Sequence, residues 1–346
     1  MIIGIPKEIK NQEFRVALTP DGARQLVKAG FVVQIEKNAG IGSGFSNRDY
    51  QEACAKIVQS HERLFKTSEF IIKVKEPLPS EYPLLKKDQI LFAFLHLAAN
   101  PTLEKVLKKK SVYAIAYEAV ASPDGSLPIL KPMSEIAGRI SVMTGAFYLQ
   151  KGQGGSGILI SGTPNVKGGH VVILGAGVVG ENALQMAIGL GARVSILDRD
   201  KKRLQEIIHA YKGTSIEAAL TAPNHIDKIV SNADLVIGGV HNAGEKTPKL
   251  VKKETVYKMK TGSVIVDVAI DQGGCFETSR VTSHSDPIYL VNGVIHYCVP
   301  NMPGAVPQTA TAALTAATLP YIRSIAKNGL EKACRLDPGL ACAILT

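Results

Sequence analysis

A chain of 346 residues is too long for one average domain, and 45% hydrophobic with 20% charged residues suits a globular protein burying a full core. No apolar run approaches the roughly 18 residues of a membrane span, and the N-terminus lacks the basic segment of a signal peptide. The net charge of +10 invites nucleic acid, but residues 108–110 and 201–203 are the densest basic runs, they lack interleaved aromatics, and the chain has no Trp. A positive field drawing anionic substrates and cofactors is the better account, with no nucleic-acid or membrane partner expected.

Along the first 120 residues, short β-branched runs alternate with helical stretches. Ile2–Ile5 and residues 32–35, 70–74, 90–95 and 112–116 read as buried strands. Residues 20–30 read as a helix capped by Thr19, and Pro101–Lys110 as a helix capped by Asn100. This is the pattern of a parallel, helix-covered sheet. Apolar residues Ile136, Ile140, Met143 and Phe147 then fall at helical spacing, predicting one long connecting helix over 132–149. A Gly-rich tract at 152–157 precedes a second strand series: His170–Leu174, 193–197, 234–237 and 263–268. Residues 305–325, rich in Ala and Thr, form a closely packing helix. The fold class is α/β in two domains: a Rossmann domain and a second Rossmann-like α/β unit, linked by long helices. Five cysteines without a CxxC pair point to reduced thiols in the cytoplasm, and to no zinc site.

Gly175-Ala176-Gly177-Val178-Val179-Gly180 is the strongest local motif. It follows an apolar strand, opens a helix over 178–190, and a second strand ends at Asp198, eighteen residues after the last glycine. The first glycine allows a tight turn, the second lets backbone approach a pyrophosphate, and the third lets helix pack on strand. The helix start offers free N–H groups to the pyrophosphate. Asp198 would accept from ribose hydroxyls and repel a 2′-phosphate, which favours NAD, although Arg199, Lys201 and Arg203 stand close by. The bland alternative is a glycine-rich turn of some other α/β protein.

Three basic residues stand where chemistry is usually placed, at or beyond the carboxyl ends of buried strands: Arg15 after the first, Lys75 after 70–74, and His96 after 90–95. Singly, each is more often a solvated cap. Asp271 lies in an acidic, glycine-rich loop after a strand, with Asp267 inside that strand as the alternative structural carboxylate; loop position favours Asp271.

With these residues in place, the chain resembles the alanine dehydrogenase family from Met1 to about Leu345. The resemblance is carried by Gly4-Ile5-Pro6-Lys7-Glu8, Arg15-Val16-Ala17-Leu18-Thr19-Pro20, Val74-Lys75-Glu76-Pro77 and Phe94-Leu95-His96-Leu97-Ala98-Ala99. It continues in Pro132-Met133-Ser134-Glu135-Ile136-Ala137-Gly138-Arg139. Its most specific stretches are VDVAIDQGGCFETSR at 266–280 and Asn301-Met302-Pro303-Gly304-Ala305-Val306-Pro307.

The resemblance implies that Arg15, Lys75 and His96 bind the substrate, Arg15 and Lys75 gripping its carboxylate. His96 would be acid and base on the substrate oxygen, imidazole being the side chain that ordinarily changes charge near neutral pH. Asp271 would assist the water that adds to the imine, and would lie near the nicotinamide ribose. Cofactor contacts would come from Ser134, Gly175, Gly177, Val178, Val179, Gly180, Asp198, Arg203, Thr221, Gly238, Val240, Val268, Ile270, Asp271, Asn301 and Met302. The implied reaction is L-alanine, NAD and water to pyruvate, ammonium and NADH, reversibly, in a cytoplasmic hexamer.

The implied domains are discontinuous. Residues 1–129 and 307–346 form the substrate domain and 130–306 the NAD domain, with catalysis in a closing cleft. Departures from the family pattern are the turn His241-Asn242-Ala243-Gly244, Thr163-Pro164-Asn165, Pro300, Ala316 and a chain that stops at Thr346. Rival readings are a related dehydrogenase of the same family and a catalytically silent NAD(H)-binding sensor or scaffold.

Overall fold

Short apolar runs separated by capped helices fold here as two doubly wound α/β units. In a computed structural model, residues 1–240 and 247–345 are described, apart from the side chains of Ala99, Pro223 and Asn224. The turn at 241–244 and Thr346 lie outside the described residues. The first unit comprises Met1–Met133 with Gly304–Thr346, and the second Ser134–Pro303.

In the first unit the chain runs through β1 (Ile2–Ile5), α1 (Pro20–Lys28), β2 (Val32–Glu36), α2 (Asn47–Glu52), β3 (Lys56–Val58) and α3 (His61–Thr67). It continues through β4 (Phe70–Ile72), β5 (Ile90–Ala93), α4 (Pro101–Lys110) and β6 (Tyr113–Ala116). The Thr19 side chain accepts from the Gly22 N–H and that of Asn100 from the Leu103 N–H, so both expected caps form, each followed by proline. The six strands are parallel in the order β3-β2-β1-β4-β5-β6, so the chain reverses its winding between β1 and β4. Ile71, Leu91, Ala93, Ala114 and Ala116 point into one buried cluster. From the alternate positions, Phe70 and Phe92 meet, with Tyr117 edge-on to Phe92 at 4.4 Å.

Two strands are shorter than the apolar pattern suggests. β4 ends at Ile72 and β5 at Ala93, although the hydrophobic runs continue. The reason is a change of acceptor. The Val74 N–H donates to Glu8 Oε1 at 2.7 Å, while the Leu95 and His96 N–H groups donate to the Glu118 carboxylate, His96 at 2.6 Å. Side-chain carboxylates thus take over from the ladder just before Lys75 and at His96.

Helix α5 (Lys131–Tyr148) carries the chain from one unit into the other, and the break between units falls inside it. The second unit contains β7 (His170–Leu174), α6 (Val178–Gly189), β8 (Arg193–Asp198), α7 (Lys201–Ala210), β9 (Ile216–Leu220) and α8 (Pro223–Ser231). There follow β10 (Leu235–Gly238), α9 (Lys253–Tyr257), β11 (Val264–Asp267), β12 (Ile288–Val291) and β13 (Val294–Tyr297). Their order is β12-β13-β11-β10-β7-β8-β9, all parallel except the β12–β13 hairpin, and the winding reverses between β7 and β10. Period-2 side-chain alternation explains why these strands read as unbroken apolar runs. Val171, Ile173, Leu235, Ile237, Val264 and Val266 enter one core, while Val172, Leu174, Val236 and Ile265 enter the other.

Helix α10 (Pro307–Asn328) brings the chain back to the first unit, followed by α11 (Leu330–Leu336) and α12 (Pro338–Cys342). Thr311 and Thr315 on α10 accept from the Val16 and Thr19 N–H groups at 3.1 and 3.0 Å, which pins the segment that carries Arg15. Ile344 bridges antiparallel to Ile115, so β6 is not left as a bare edge.

Phe92 is fully buried and meets Phe70, Tyr117 and Tyr321. Phe92→Ala is expected to cost about 3–5 kcal/mol in the first unit's urea unfolding, whereas a loss below about 1 kcal/mol would mean the site collapses without a cavity.

Candidate active site

The first unit assembles its chemistry at the switch point. Arg15 follows β1, Lys75 follows β4 and His96 follows β5, so three neighbouring parallel strands deliver them to one sheet edge. Arg15 is only 2% exposed, and Glu13 grips it in a two-pronged pair, Nε to Oε1 at 2.7 Å and Nη2 to Oε2 at 2.6 Å. Its Nη1 lies 3.3 Å from Met133 Sδ. Burial raises the Glu13 pKa, but the hydrogen bonds and charge of Arg15, with the charge of Lys75, outweigh that and hold it at about 2.

Lys75 is buried rather than a solvated cap, with Nζ 6.0 Å from the Phe94 ring centroid. His96 stacks on the same ring, centroids 6.0 Å apart and planes within 9°. Its backbone is left-handed, φ 46°, a strained choice for a non-glycine residue that turns the imidazole outward. Glu118 Oε1 lies 3.9 Å from His96 Nδ1. Phe94, Glu13 and Glu118 therefore organise the three basic residues, and sequence reasoning missed all three. Only Glu118, an acidic residue just past a strand at 113–116, left a signal that could have been read.

Beneath Lys75 runs a ladder of buried charges. Lys73 Nζ sits 3.1 Å from Glu8 Oε2 and 3.0 Å from Glu81 Oε1. His61 bridges Glu36 (2.6 Å) and Glu81 (3.2 Å). Burial acts against every charge here. It would lower Lys73, yet Glu8 and Glu81 hold its pKa above the ordinary lysine value. It would raise Glu81, yet Lys73 and His61 keep that carboxyl low, leaving Glu8 as the member that burial lifts. It would likewise lower His61, yet hydrogen bonds to Glu36 and Glu81 push its pKa up to about 9.

In the second unit each fingerprint glycine has its own geometric reason. Gly175 takes φ +96°, a left-handed turn, and Gly180 would place a Cβ 1.8 Å from the Gly175 carbonyl oxygen. A Cβ on Gly177 would meet no protein atom within 4 Å, so a ligand can approach the backbone there. Asp198 ends β8 and accepts from the Ala176 N–H at 2.5 Å and the Asp200 N–H at 2.9 Å, tying the turn to the acid. The Thr221 N–H donates to the Asp198 carbonyl, and exposed Arg203 begins α7 nearby. Val178 and Val179 open α6, Gly238 ends β10 with Val240 just beyond, and Val268 follows β11, so these residues share the carboxyl edge. Ser134 lies on α5, partly exposed.

The two aspartates separate clearly. Asp267 is 1% exposed and accepts from the Ala269 and Cys275 N–H groups and the Ser279 hydroxyl; its pKa is raised by burial against those bonds. It organises the loop. Asp271 is exposed on that loop, with Oδ2 3.5 Å from the Asn301 N–H. Ile270 and Met302 do not aim side chains outward: Met302 is 2% exposed in the core and Ile270 packs with Tyr289 and Cys298. Any ligand contact from them is through the main chain.

Two doubly wound parallel sheets, one with a complete dinucleotide fingerprint, define an α/β oxidoreductase of the nucleotide-dependent class. Residues 4–137 match the family model for the alanine dehydrogenase/PNT N-terminal domain, and residues 141–346 that for the C-terminal domain. An alanine dehydrogenase of Methanococcus maripaludis is 51% identical, covering 98% of this chain and 91% of its own. One of Halomonas elongata is 48% identical, covering 99% and 92%. A solved L-alanine dehydrogenase is 52% identical with a TM-score of 0.96, covering 99% of this chain and 94% of its own. A transhydrogenase of Sinorhizobium meliloti, 24% identical with a TM-score of 0.82 over 94% of this chain and 95% of its own, shares the fold. The chain belongs to the alanine dehydrogenase/PNT family.

Two outcomes follow from this geometry. Gly177→Ala should leave the melting temperature near wild type, because its Cβ would enter open space, while weakening NADH binding about tenfold or more; Gly180→Ala should lower both. The folded-state pKa of His61 is raised, so its ladder contributes stability that is full below about 6.5 and lost as pH rises through about 9. The stability gap between wild type and His61→Gln, followed by thermal melts from neutral to alkaline pH, should therefore shrink across that window. A gap constant with pH would refute the charged assignment.

Proposed function

We propose that this chain catalyses the NAD-dependent oxidative deamination of L-alanine to pyruvate and ammonium, and the reductive amination of pyruvate in reverse. The observation that carries the reading is the convergence of Arg15, Lys75 and His96 at one switch point, two of them buried and the third stacked on the ring that Lys75 faces. Buried cations at such an edge suit a small carboxylate, each charge-assisted hydrogen bond contributing about 1.5–3 kcal/mol.

The second unit fits a dinucleotide. Its glycine cradle leaves open the one position where backbone must approach a pyrophosphate. Gly175, Gly177 and Gly180 with the start of α6 would hold the pyrophosphate, and Asp198 the adenosine ribose. The remaining set (Ser134, Val178, Val179, Arg203, Thr221, Gly238, Val240, Val268, Ile270, Asp271, Asn301 and Met302) would line the rest. When bound, NAD supplies the electron acceptor for the substrate Cα–H bond.

The chain's own residues do the rest. Arg15, its guanidinium plane set by Glu13, and Lys75 bind the carboxylate and fix the Cα. His96 takes the proton from the attacking oxygen and returns it in the reverse direction, its backbone clamped by Glu118. Asp271 orients the water that replaces nitrogen. Among the described residues no helix is long and apolar enough to cross a membrane. We read the assembly as a cytoplasmic hexamer, which light scattering of the purified protein decides.

NADH formation with a panel of L-amino acids, beside a His96→Ala control, tests the reading. L-Alanine should be turned over, and the control should lose about 100-fold or more. NADH binding without turnover in either direction would instead leave a nucleotide-binding sensor or scaffold.

A further inference from the structure

We propose that Glu8 is a positioning residue for Lys75: its carboxylate holds the Val74 N–H and the Lys73 ammonium together, and so fixes the turn that aims Lys75. This rests on the reading of Lys75 as a substrate-carboxylate ligand. Strand β4 ends at Ile72, and although the Lys73 N–H still donates to the Phe92 carbonyl and the Val74 carbonyl still accepts from the Phe94 N–H, the Val74 N–H has turned away to a side-chain acceptor. Glu8 clamps the two residues before Lys75, accepting from the Val74 backbone at 2.7 Å and from Lys73 Nζ at 3.1 Å. Glu81 clamps the residues after it, accepting from the Leu78 N–H at 2.8 Å while its other oxygen meets the same Lys73 ammonium at 3.0 Å. Lys75 is thus the centre of a short arch whose two feet are tied to one buried cation.

A structural role alone does not account for this arrangement. A buried ion pair is commonly no more stabilising than apolar side chains of the same volume. Apolar side chains, however, cannot accept the Val74 N–H. Glu8 is 7% exposed and Lys73 fully buried, so no water replaces the lost acceptor easily.

Steady-state kinetics of reductive amination test this, with KM for pyruvate, KM for NADH and kcat measured separately. Lys75→Met is the control for the underlying reading and should raise KM for pyruvate or abolish turnover. Glu8→Leu combined with Lys73→Leu removes both buried charges and the acceptor. It also orphans the Val74 N–H and takes the lysine partner from Glu81, so it should lower the melting temperature, raise KM for pyruvate about tenfold, and leave KM for NADH unchanged. Glu8→Gln keeps an oxygen for the Val74 N–H but turns its NH2 toward the Lys73 ammonium, and should raise KM for pyruvate by less than the double variant does. Glu8→Asp keeps the charge but shortens the reach, and should raise KM for pyruvate by about threefold or more even if the double variant does not fold. Wild-type KM for pyruvate in Glu8→Asp and in any folded double variant, with Lys75→Met impaired, overturns the positioning role and leaves Lys75 intact. An unchanged KM and kcat in Lys75→Met overturns the carboxylate reading itself, and this proposal with it.

Discussion

A parallel strand that ends inside a protein must hand its last N–H groups to some acceptor, and here that acceptor is repeatedly a carboxylate. Glu8 takes the Val74 N–H, Glu118 those of Leu95 and His96, and Asp267 those of Ala269 and Cys275. Glu8 and Glu118 take up N–H groups just past strand ends, and Asp267 ties the loop after β11, each close in the chain to a candidate site residue. An unsatisfied buried donor costs about 1–3 kcal/mol, so the turns are held as firmly as the strands they end. Strand length, loop direction and side-chain aim all follow from where these few acidic residues sit.

Carboxylates in a core bring their own problem, because each buried charge must be paired. The first unit solves it by alternation: Glu36, His61, Glu81, Lys73 and Glu8 form one run of opposite charges, and Glu13 with Arg15 forms another. The second unit solves it with dipoles, since Asp267 is met by two backbone N–H groups and a serine hydroxyl. The net charge of +10 is therefore carried by the surface, because the buried cations are matched by buried carboxylates. Arg15, Lys73 and Lys75 are interior cations whose role is local.

The first unit winds 3-2-1-4-5-6 and the second repeats 3-2-1-4-5 before closing on its antiparallel hairpin, and both carry candidate residues at the carboxyl edge around the point where winding reverses. What differs is the edge chemistry. The second unit offers bare backbone and an acid at its glycine turn, suited to a phosphate and a ribose. The first offers cations and an aromatic platform, suited to a small carboxylate.

Much of this was legible in one dimension. Apolar runs at 170–174, 234–237 and 263–268 announce buried strands, and proline after Thr19 and Asn100 announces helix starts, because these depend on local periodicity and capping. The β12–β13 hairpin was overlooked although Asn292-Gly293, both at positive φ, is a plain turn signal. Short β3 and half-exposed β9 carried little apolar pattern to find. At the sites, the glycine fingerprint and the residue types at strand ends could be read from the chain. The partnership of Glu13 with Arg15, the Phe94 ring that Lys75 and His96 both meet, the left-handed turn at His96 and the inward aim of Met302 could not. Local signals depend on neighbours within a few residues, which a sequence displays directly. Burial, pairing and aim depend on groups such as Glu8 and Val74, far apart in the chain, and only the tertiary structure brings those together.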